Sequence, residues 1–354
     1  MKVAILSSFP KKKCGIAYFT KLLVDNLRRK NEVEKIVVIG DEESSDANYR
    51  LNFRSAFLYR GVNKILQREE IDVLYIWHEY WLYGPLNLGF INTLIATRVP
   101  IVTKLASLSS TDPGVPLWER IRATFVEKIV SLKSEKIVVD PGVASDQIKK
   151  FPRKKIATIS LGIVPKEKKH IISDKKVILF FGVISPHKGV DNLVRASKHL
   201  NGVRIVIAGK PDMNTDRLLE LVRENSKYNE IRLDLDWIPD DKKEIYFREA
   251  DVVVLPYTRI GLQSGVLYDA LCYGIPCVVS REGMMGSIVS KYRIGVLVSP
   301  TDPFSIAEGI KKVLNQYSIY QNNIIKYQQI ASWEHVAEEL ILVFKEAIDE
   351  DRRI

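Results

Sequence analysis

The stretch KVILFFGVISPHKGVDNLVRA, at residues 176–196, decides the fold class of the chain. It opens with a run of apolar residues that is typical of a strand buried on both faces of a parallel sheet. A loop with Gly182 and Pro186 interrupts this run, and Leu193 and Ala196 then recur at the spacing of a helix. Strand, loop and helix together form one βα unit, the building block of parallel sheets.

The same alternation of short β-branched runs and longer helical patterns covers the whole chain of 354 residues. Further strands are predicted at 3–7, 35–39, 73–77, 101–105, 136–139 and 156–160, and then at 204–208, 231–235, 251–255, 276–279 and 295–298. We therefore predict an α/β protein with two Rossmann-like, doubly wound domains that face a central cleft, where open α/β sheets bind their ligands.

The charged stretch 165–175 reads as the linker between these domains. The predicted boundaries are 1–165 for the first domain and 166–332 for the second. Residues 333–354 form a final helix that begins after Ser332, a residue type favoured as an N-cap. The sequence leaves open whether this helix returns to the first domain.

The composition indicates a reducing, cytoplasmic location. Three cysteines, Cys14, Cys272 and Cys277, are too few for a disulfide framework and have no metal-binding spacing. The first ten residues read as a strand, because Lys11–Lys13 follow where a signal peptide would end. The longest uncharged stretch, 80–97, contains glycine and proline and is an improbable membrane span.

The net charge of +10 is concentrated in the basic run 149–176, which holds ten basic and two acidic residues. One interpretation is a solvated linker, and the other is peripheral contact with an anionic membrane at its inner face. Nucleic acid is not expected as a partner, because the run does not alternate basic with aromatic residues.

Three groups of residues at predicted strand ends could bind a ligand. Lys188 is placed before a helix, where a cation is unfavourable unless an anion binds between them, although an idle surface lysine is the alternative. Ser264 and Gly265 can begin a second helix whose free N–H groups would bind phosphate. Asp269 follows in that helix and could accept hydrogen bonds from sugar hydroxyls or merely compensate the helix dipole. Together these residues predict a diphosphate site.

The first predicted domain offers weaker candidates. Gly15 permits close approach of a ligand at a helix N-terminus, but the loop lacks the G-x-G-x-x-G pattern of dinucleotide enzymes. His78 and Glu79 lie in the aromatic-rich stretch YIWHEYWLYG at 75–84, and His78 is as consistent with a structural role as with a catalytic one.

Taken together, these motifs resemble glycosyltransferase family 4, whose members are retaining, nucleotide-sugar-dependent enzymes with the GT-B architecture. The resemblance covers nearly the whole chain and is best at 180–196 and 251–279. It is weaker at Pro10 with CGIA (14–17), at WHEY (77–80) with Gly84, and at SWE (332–334). It implies that the first domain faces the acceptor and that the second binds the nucleotide sugar.

The resemblance also assigns roles. Lys188 would neutralise the donor diphosphate, and Asp269 would be the second acid of the E-x7-E motif. Gly261 replaces the first Glu of that motif, Val183 and Ser185 stand where an arginine is common, and Ala106 stands where many members have a histidine. The predicted catalytic residues are His78, Lys188 and Asp269, and the predicted substrate-binding residues are Gly15, Glu79, Gly182, Gln263, Ser264, Gly265 and Val266.

The resulting expectation is transfer of a sugar from a nucleoside diphosphate sugar to a hydroxyl of a lipid-linked sugar, glycan or polysaccharide, with no metal or other cofactor. The only close Asp-x-Asp pair is Asp234 with Asp236. Gly261 and Ala106 motivate one alternative, a non-catalytic sugar-nucleotide-binding partner subunit of a glycosyltransferase. A nucleotide-sugar epimerase is a second alternative, disfavoured by the lack of the expected histidine and carboxylate pattern.

Overall fold

The computed structural model describes the chain except for residues 13, 81, 85, 106–109, 111–114, 142–148, 168–173, 260–263 and 353–354 and the side chain of Asp240. The chain divides into two units, Met1–Gly162 with Ala331–Ile354, and Ile163–Ile330. The division lies three residues before the predicted boundary between 165 and 166, and the C-terminal segment belongs to the first unit.

The described part of the first unit contains a seven-stranded parallel sheet of order β3-β2-β1-β4-β5-β6-β7. Its strands are β1 Lys2–Leu6, β2 Lys35–Gly40, β3 Tyr49–Arg50, β4 Val73–His78, β5 Ile101–Leu105, β6 Lys136–Val139 and β7 Ile156–Thr158. The strands of the sheet centre are apolar because helices cover both faces. The strand predicted at 156–160 ends two residues earlier, and β3 was not predicted.

The helices described in the first unit are α1 Gly15–Leu27, α2 Leu58–Arg68, α3 Leu88–Ala96, α4 Leu117–Lys133 and the final helix α12 Trp333–Asp351. Ser332 is the N-cap of α12, and its hydroxyl accepts a hydrogen bond from the His335 amide. Trp333 stacks on Phe19 of α1, and Phe344 meets Tyr75 of β4 edge-on. These contacts explain why the last helix is part of the first unit although it follows the second in sequence.

The second unit contains a six-stranded parallel sheet of order β10-β9-β8-β11-β12-β13 in the described residues. Its strands are β8 Lys176–Phe181, β9 Val203–Ala208, β10 Glu230–Asp234, β11 Val252–Leu255, β12 Cys277–Ser280 and β13 Gly295–Val298. Its helices are α5 Val190–Ala196, α6 Asp216–Asn225, α7 Asp240–Glu249, α8 Gly265–Cys272, α9 Met284–Tyr292, α10 Pro303–Asn315 and α11 Tyr317–Ile330. Ile178, Phe180 and Val254 are fully buried in its core.

Both sheets reverse their strand order at one point, between β1 and β4 in the first unit and between β8 and β11 in the second. The loops after such neighbouring strands diverge to opposite faces and leave a crevice at the carboxyl edge of the sheet. The predicted α/β fold class with two Rossmann-like domains is confirmed, and each unit has its own crevice position.

The basic run 149–176 is not one continuous linker. Its first part, through Gly162, lies in the first unit and its last part in the second. The Lys166 amide donates to the Cys272 carbonyl and its ammonium to the Tyr273 hydroxyl, so the predicted linker is already bound to the second unit at this point. None of the helices in the described residues combines the length and the apolar character that crossing a bilayer requires.

Candidate functional site

The loop after β8 is shaped by two glycines. Gly182 has a φ of +99°, and a methyl group in place of its hydrogen would lie 3.3 Å from Val266 Cγ2 and 3.8 Å from Lys188 Nζ. Gly189 has a φ of +69°, and a methyl group there would lie 2.2 Å from the Pro256 carbonyl oxygen. Both positions therefore require glycine, which lets this loop contact the loop after β11.

Lys188 is the last residue of a 3₁₀ turn, Pro186–Lys188, and precedes α5 by two residues. Lys188 therefore lies before the helix, as predicted, and Gly189 in the left-handed region separates its turn from α5. The turn is held to the neighbouring loop by the His187 carbonyl oxygen, which accepts from the Thr258 amide at 2.8 Å. This places Lys188 at the strand-order reversal of the second sheet.

The Lys188 ammonium lies 5.2 Å from the centre of the Tyr257 ring and is half-buried. Burial lowers its pKa, because the charged form loses hydration. No acidic side chain in the described part of the chain pairs with it. A partly desolvated cation without a counter-ion is what an anion-binding site presents before its ligand arrives.

The first turn of α8 lies beside this lysine. Ser264 is the N-cap, but its hydroxyl bonds the Tyr257 hydroxyl at 3.1 Å instead of capping the helix. In the described residues, the backbone N–H groups of Gly265 and Val266 therefore donate to no acceptor, as expected at the start of a helix. The Val266 side chain and the Lys188 ammonium both lie next to Gly182, so the cation lies close to the first turn of α8.

Asp269 follows Val266 by three residues, and side chains at this spacing share one face of a helix. Its carboxylate contacts the ammonium of Lys243 from α7 at 2.5 Å, and one fifth of its side chain is exposed. The sequence did not indicate this ion pair. Asp269 therefore lies one helical turn beyond the free amides, with a lysine as its neighbour.

Gln263, Gly261 and Ala106, which the comparison with family 4 motifs singled out, lie outside the part of the chain that the structure describes. Their contribution to a site stays a prediction.

In the first unit, Gly15 follows β1, and His78 is the last residue of β4 and is followed by Glu79. β1 and β4 are the two strands at the order reversal. Gly15 is the exposed first residue of α1, and the Cys14 sulfur caps this helix by accepting from the Ala17 amide. A methyl group at Gly15 would meet only Phe19, at 3.8 Å, so no described neighbour demands a glycine. Glu79 is half-buried directly after β4.

His78 is completely buried among Tyr80, Tyr83 and Phe90. Its Nε2 lies 3.2 Å from Oδ1 of Asn87, whose Nδ2 donates to the carbonyl oxygens of Tyr80 and Gly84. These two bonds orient the Asn87 amide, so Oδ1 must accept from a protonated Nε2. The neutral tautomer leaves Nδ1 as a buried acceptor without a partner in the described chain.

Burial lowers the pKa of His78 to about 4, and this makes stability depend on pH. The unfolded imidazole has a pKa of about 6.5, so below that pH the unfolded state binds the proton more strongly. Stability should therefore fall as the pH drops from about 6.5 towards 4. Between pH 7 and about 4.5 this one group should cost roughly 2 to 3 kcal/mol of the free energy of unfolding.

Denaturant unfolding of wild type and of His78→Gln at both pH values tests this expectation. The wild type should lose more stability on acidification than the variant by the stated amount. His335→Gln is the matched control, because His335 is half-exposed on α12 and its variant should follow the wild type. Equal acid sensitivity of wild type and His78→Gln would show that burial does not lower the pKa of His78.

Sequence reasoning missed three residues that shape these sites. Tyr257 was visible as an aromatic residue directly after a buried strand, a position that often faces a ligand. Lys243 and Asn87 gave no local signal, since their roles depend on partners 26 and nine residues away. In the described residues, no group of three His, Cys, Asp or Glu side chains is placed to hold a metal ion.

Comparison with known proteins matches residues 165–330 to the family of glycosyl transferases group 1. An uncharacterised glycosyltransferase of Methanocaldococcus jannaschii is 32% identical over 186 residues, which are 50% of this chain and 46% of that protein. The chain thus spans less than half the length of this relative.

Two solved structures share the fold over nearly all of the chain. Sucrose-phosphate synthase from Thermosynechococcus elongatus has a TM-score of 0.79 at 15% identity and covers 99% of this chain and 100% of that one. HepE of Anabaena in complex with UDP has a TM-score of 0.71 at 16% identity, and the match covers 96% of this chain and 98% of that one. The second unit is therefore similar in sequence to glycosyl transferases group 1, and the chain as a whole has the two-domain GT-B fold.

Proposed function

We propose that the chain is a retaining glycosyltransferase of family 4 that moves a sugar from a nucleoside diphosphate sugar to a hydroxyl acceptor. The observation that carries this proposal is the half-buried Lys188 without an acidic partner, beside the free amides of Gly265 and Val266. A ligand that needs one cation and two N–H donors at the carboxyl edge of a parallel sheet is a diphosphate. The similarity of residues 165–330 to glycosyl transferases, and the UDP bound by HepE, support this donor class.

The reaction breaks the bond between the anomeric carbon and a diphosphate oxygen. Negative charge then grows on the diphosphate, and Lys188 with the two amides stabilises it. The acceptor oxygen attacks from the face that the diphosphate leaves, as the resemblance to family 4 implies, and the configuration is kept. Asp269 accepts hydrogen bonds from hydroxyls of the donor, while Gly15, His78 and Glu79 belong to the acceptor side.

The acceptor is a lipid-linked sugar, a glycan or a polysaccharide, and the small number of cysteines supports a cytoplasmic location. The basic residues of 149–176 favour transferase activity at the inner face of an anionic membrane.

No metal takes part in this proposal, because Lys188 and the helix amides supply the positive charge. The Asp-x-Asp pair is otherwise engaged: Asp234 accepts from the Tyr246 hydroxyl at 2.8 Å, and Asp236 accepts from the Trp237 amide. Asp234 is the last residue of β10, and Asp236 lies two residues beyond that strand.

A donor screen tests two points together: the transferase activity and its independence of a metal ion. Release of nucleoside diphosphate from a panel of nucleotide sugars is measured with each acceptor class, once with a chelator and once with manganese. We expect one donor to turn over equally in both buffers, and nuclear magnetic resonance of the product should show the anomeric configuration of the donor. Turnover that vanishes in chelator and returns with manganese would contradict the metal-free mechanism. Tight diphosphate binding without turnover on any donor would instead favour the partner subunit.

A further inference from the structure

Helix α4 of the first unit has two apolar faces. Ala123, Val126 and Val130 are buried within the first unit. The opposite face carries five large apolar side chains that are each 55% to 69% exposed: Leu117, Trp118, Ile121, Phe125 and Leu132. We call these five residues the α4 stripe. Leu117, Ile121 and Phe125 follow one another at about one helical turn, Trp118 is next to Leu117, and Leu132 lies two turns beyond Phe125, so all five lie on the solvent side of a helix of 17 residues.

Single exposed apolar residues are ordinary on protein surfaces, but five on one side of one helix are not. Each exposed side chain of this size forgoes about 1.5 to 3 kcal/mol that burial would contribute. Since the helix already packs within the first unit through its other face, the fold gains nothing from the stripe. A partner that covers it is the physical reason for such a face.

Basic groups surround the stripe. Lys128 and Lys133 are exposed on α4, and the Arg122 guanidinium lies 5.4 Å from the centre of the Trp118 ring. Of the two acidic residues of α4, Glu127 is buried and bound to Lys150. Glu119 in the first turn is the other.

The first part of the basic run lies along the same helix. Lys150 binds the Ser110 hydroxyl at 2.7 Å as well as Glu127, and Lys155 donates to the carbonyl oxygens of Ser131 and Ser134 at the end of α4. Between these anchors, Arg153 and Lys154 are exposed and have no acidic partner in the described residues. Tertiary structure thus joins an apolar stripe and a row of cations on one part of the first unit.

We propose that α4 is a membrane-docking helix that lies flat in the surface of an anionic bilayer. The α4 stripe enters the boundary between headgroups and acyl chains, and Lys128, Lys133, Arg153 and Lys154 bind lipid phosphates. An apolar face flanked by basic residues is how interfacial helices bind anionic bilayers. The charge of the surroundings decides for anionic lipid over a second copy of the chain, whose equally basic α4 would be repelled. Docking does not depend on the sugar-transfer chemistry.

Trp118 reports directly on insertion. Full-length protein without nucleotide is mixed with phosphatidylglycerol-containing vesicles whose acyl chains are brominated, and tryptophan fluorescence is recorded. We expect quenching that Trp118→Phe removes while the variant still sediments with the vesicles. Trp237→Phe is the control, since Trp237 is similarly exposed but lies in the second unit, and it should leave the quenching unchanged.

A matched pair of double variants tests the stripe. Ile121→Ser with Phe125→Ser should lower the vesicle partition constant at least tenfold, because each inserted side chain contributes on the order of a tenfold factor. Ile319→Ser with Phe304→Ser removes equally exposed side chains from the second unit and should change nothing. Melting temperatures of both variants should equal that of the wild type, which separates lost docking from lost folding.

A double variant, Arg153→Glu with Lys154→Glu, tests whether these cations contribute to binding of anionic lipid. Binding to anionic vesicles should drop at least tenfold, and high salt should weaken the wild type in the same way, since exposed charges are screened beyond about 3 Å at about 1 M salt.

Three results would overturn the proposal. These are equal partition of wild type into neutral and anionic vesicles, quenching that survives Trp118→Phe, and a wild-type dimer in solution that the Ile121–Phe125 double variant dissociates. All are read without nucleotide or acceptor. They are therefore independent of whether the chain transfers sugar, and turnover on a water-soluble acceptor should be the same for every variant here.

Discussion

Lys188→Ala should weaken binding of the free nucleoside diphosphate roughly tenfold to a hundredfold. Lys188 is the one half-buried ammonium beside the free amides of α8 in the described residues, and hydrogen bonds to charged groups contribute about 1.5 to 3 kcal/mol. Turnover should fall at least as much, because the charge on the leaving diphosphate is largest in the transition state. Isothermal titration calorimetry with nucleoside diphosphate measures the first effect, and donor turnover measures the second.

Folding should survive this change. Burial lowers the pKa of Lys188, so its charged form is disfavoured in the folded protein, and removing it should not reduce the melting temperature. Lys291→Ala is the matched control, since Lys291 also lies over a tyrosine ring, that of Tyr292 at 5.1 Å, in the same unit. It should bind nucleoside diphosphate like the wild type. Unchanged affinity of Lys188→Ala would remove Lys188 from the site.

Asp269→Asn should reduce donor affinity or turnover by roughly tenfold or more. The amide keeps the shape of the side chain but loses the charge-assisted part of its hydrogen bonds to donor hydroxyls. The competing interpretation is that Asp269 only compensates the dipole of α8 and pairs with Lys243. In that case the change costs about 0.3 to 1 kcal/mol of stability and leaves the kinetics alone. Melting temperature and turnover on one preparation distinguish the two.

Lys243→Met makes this test sharper. It removes the same ion pair from the other side, so its effect on the melting temperature should resemble that of Asp269→Asn. If Asp269 binds the donor, Lys243→Met should keep most of the turnover, and the double variant should be no slower than Asp269→Asn alone. Equal kinetic losses in both single variants would mean that Asp269 acts by way of Lys243, as a positioning residue.

The fold could be predicted from local sequence patterns because burial imposes these patterns on strands and helices. A strand such as Lys176–Phe181 is covered on both faces and must be apolar throughout, whereas a helix such as α1 needs apolar residues only on its inner side. Ser332 likewise marked the start of α12 through capping, a local effect. Which unit α12 joins was not local information, because it depends on Trp333 meeting Phe19, more than 300 residues earlier in the chain.

The donor half of the candidate site followed from the same logic. Lys188, Ser264, Gly265 and Asp269 stood at strand ends and helix starts, and parallel topology brings such positions to one edge of a sheet. The sequence also showed which residue types were present for an anion. It did not show that Lys188 has no acidic partner, that Ser264 bonds Tyr257 instead of capping α8, or that Asp269 faces Lys243.

Local patterns were enough to predict the α/β class, the two parallel sheets and the positions where a phosphate-binding site could form, since periodicity, glycine placement and caps act over a few residues. Which charges are paired, which apolar faces are covered and which aromatic rings are buried became visible only in the folded chain. The α4 stripe illustrates the difference: Leu117, Ile121 and Phe125 read as ordinary core positions of a helix, and they are exposed because the opposite face is the one that is buried in the first unit. Burial and pairing depend on neighbours that are distant in sequence, so no local pattern contains them.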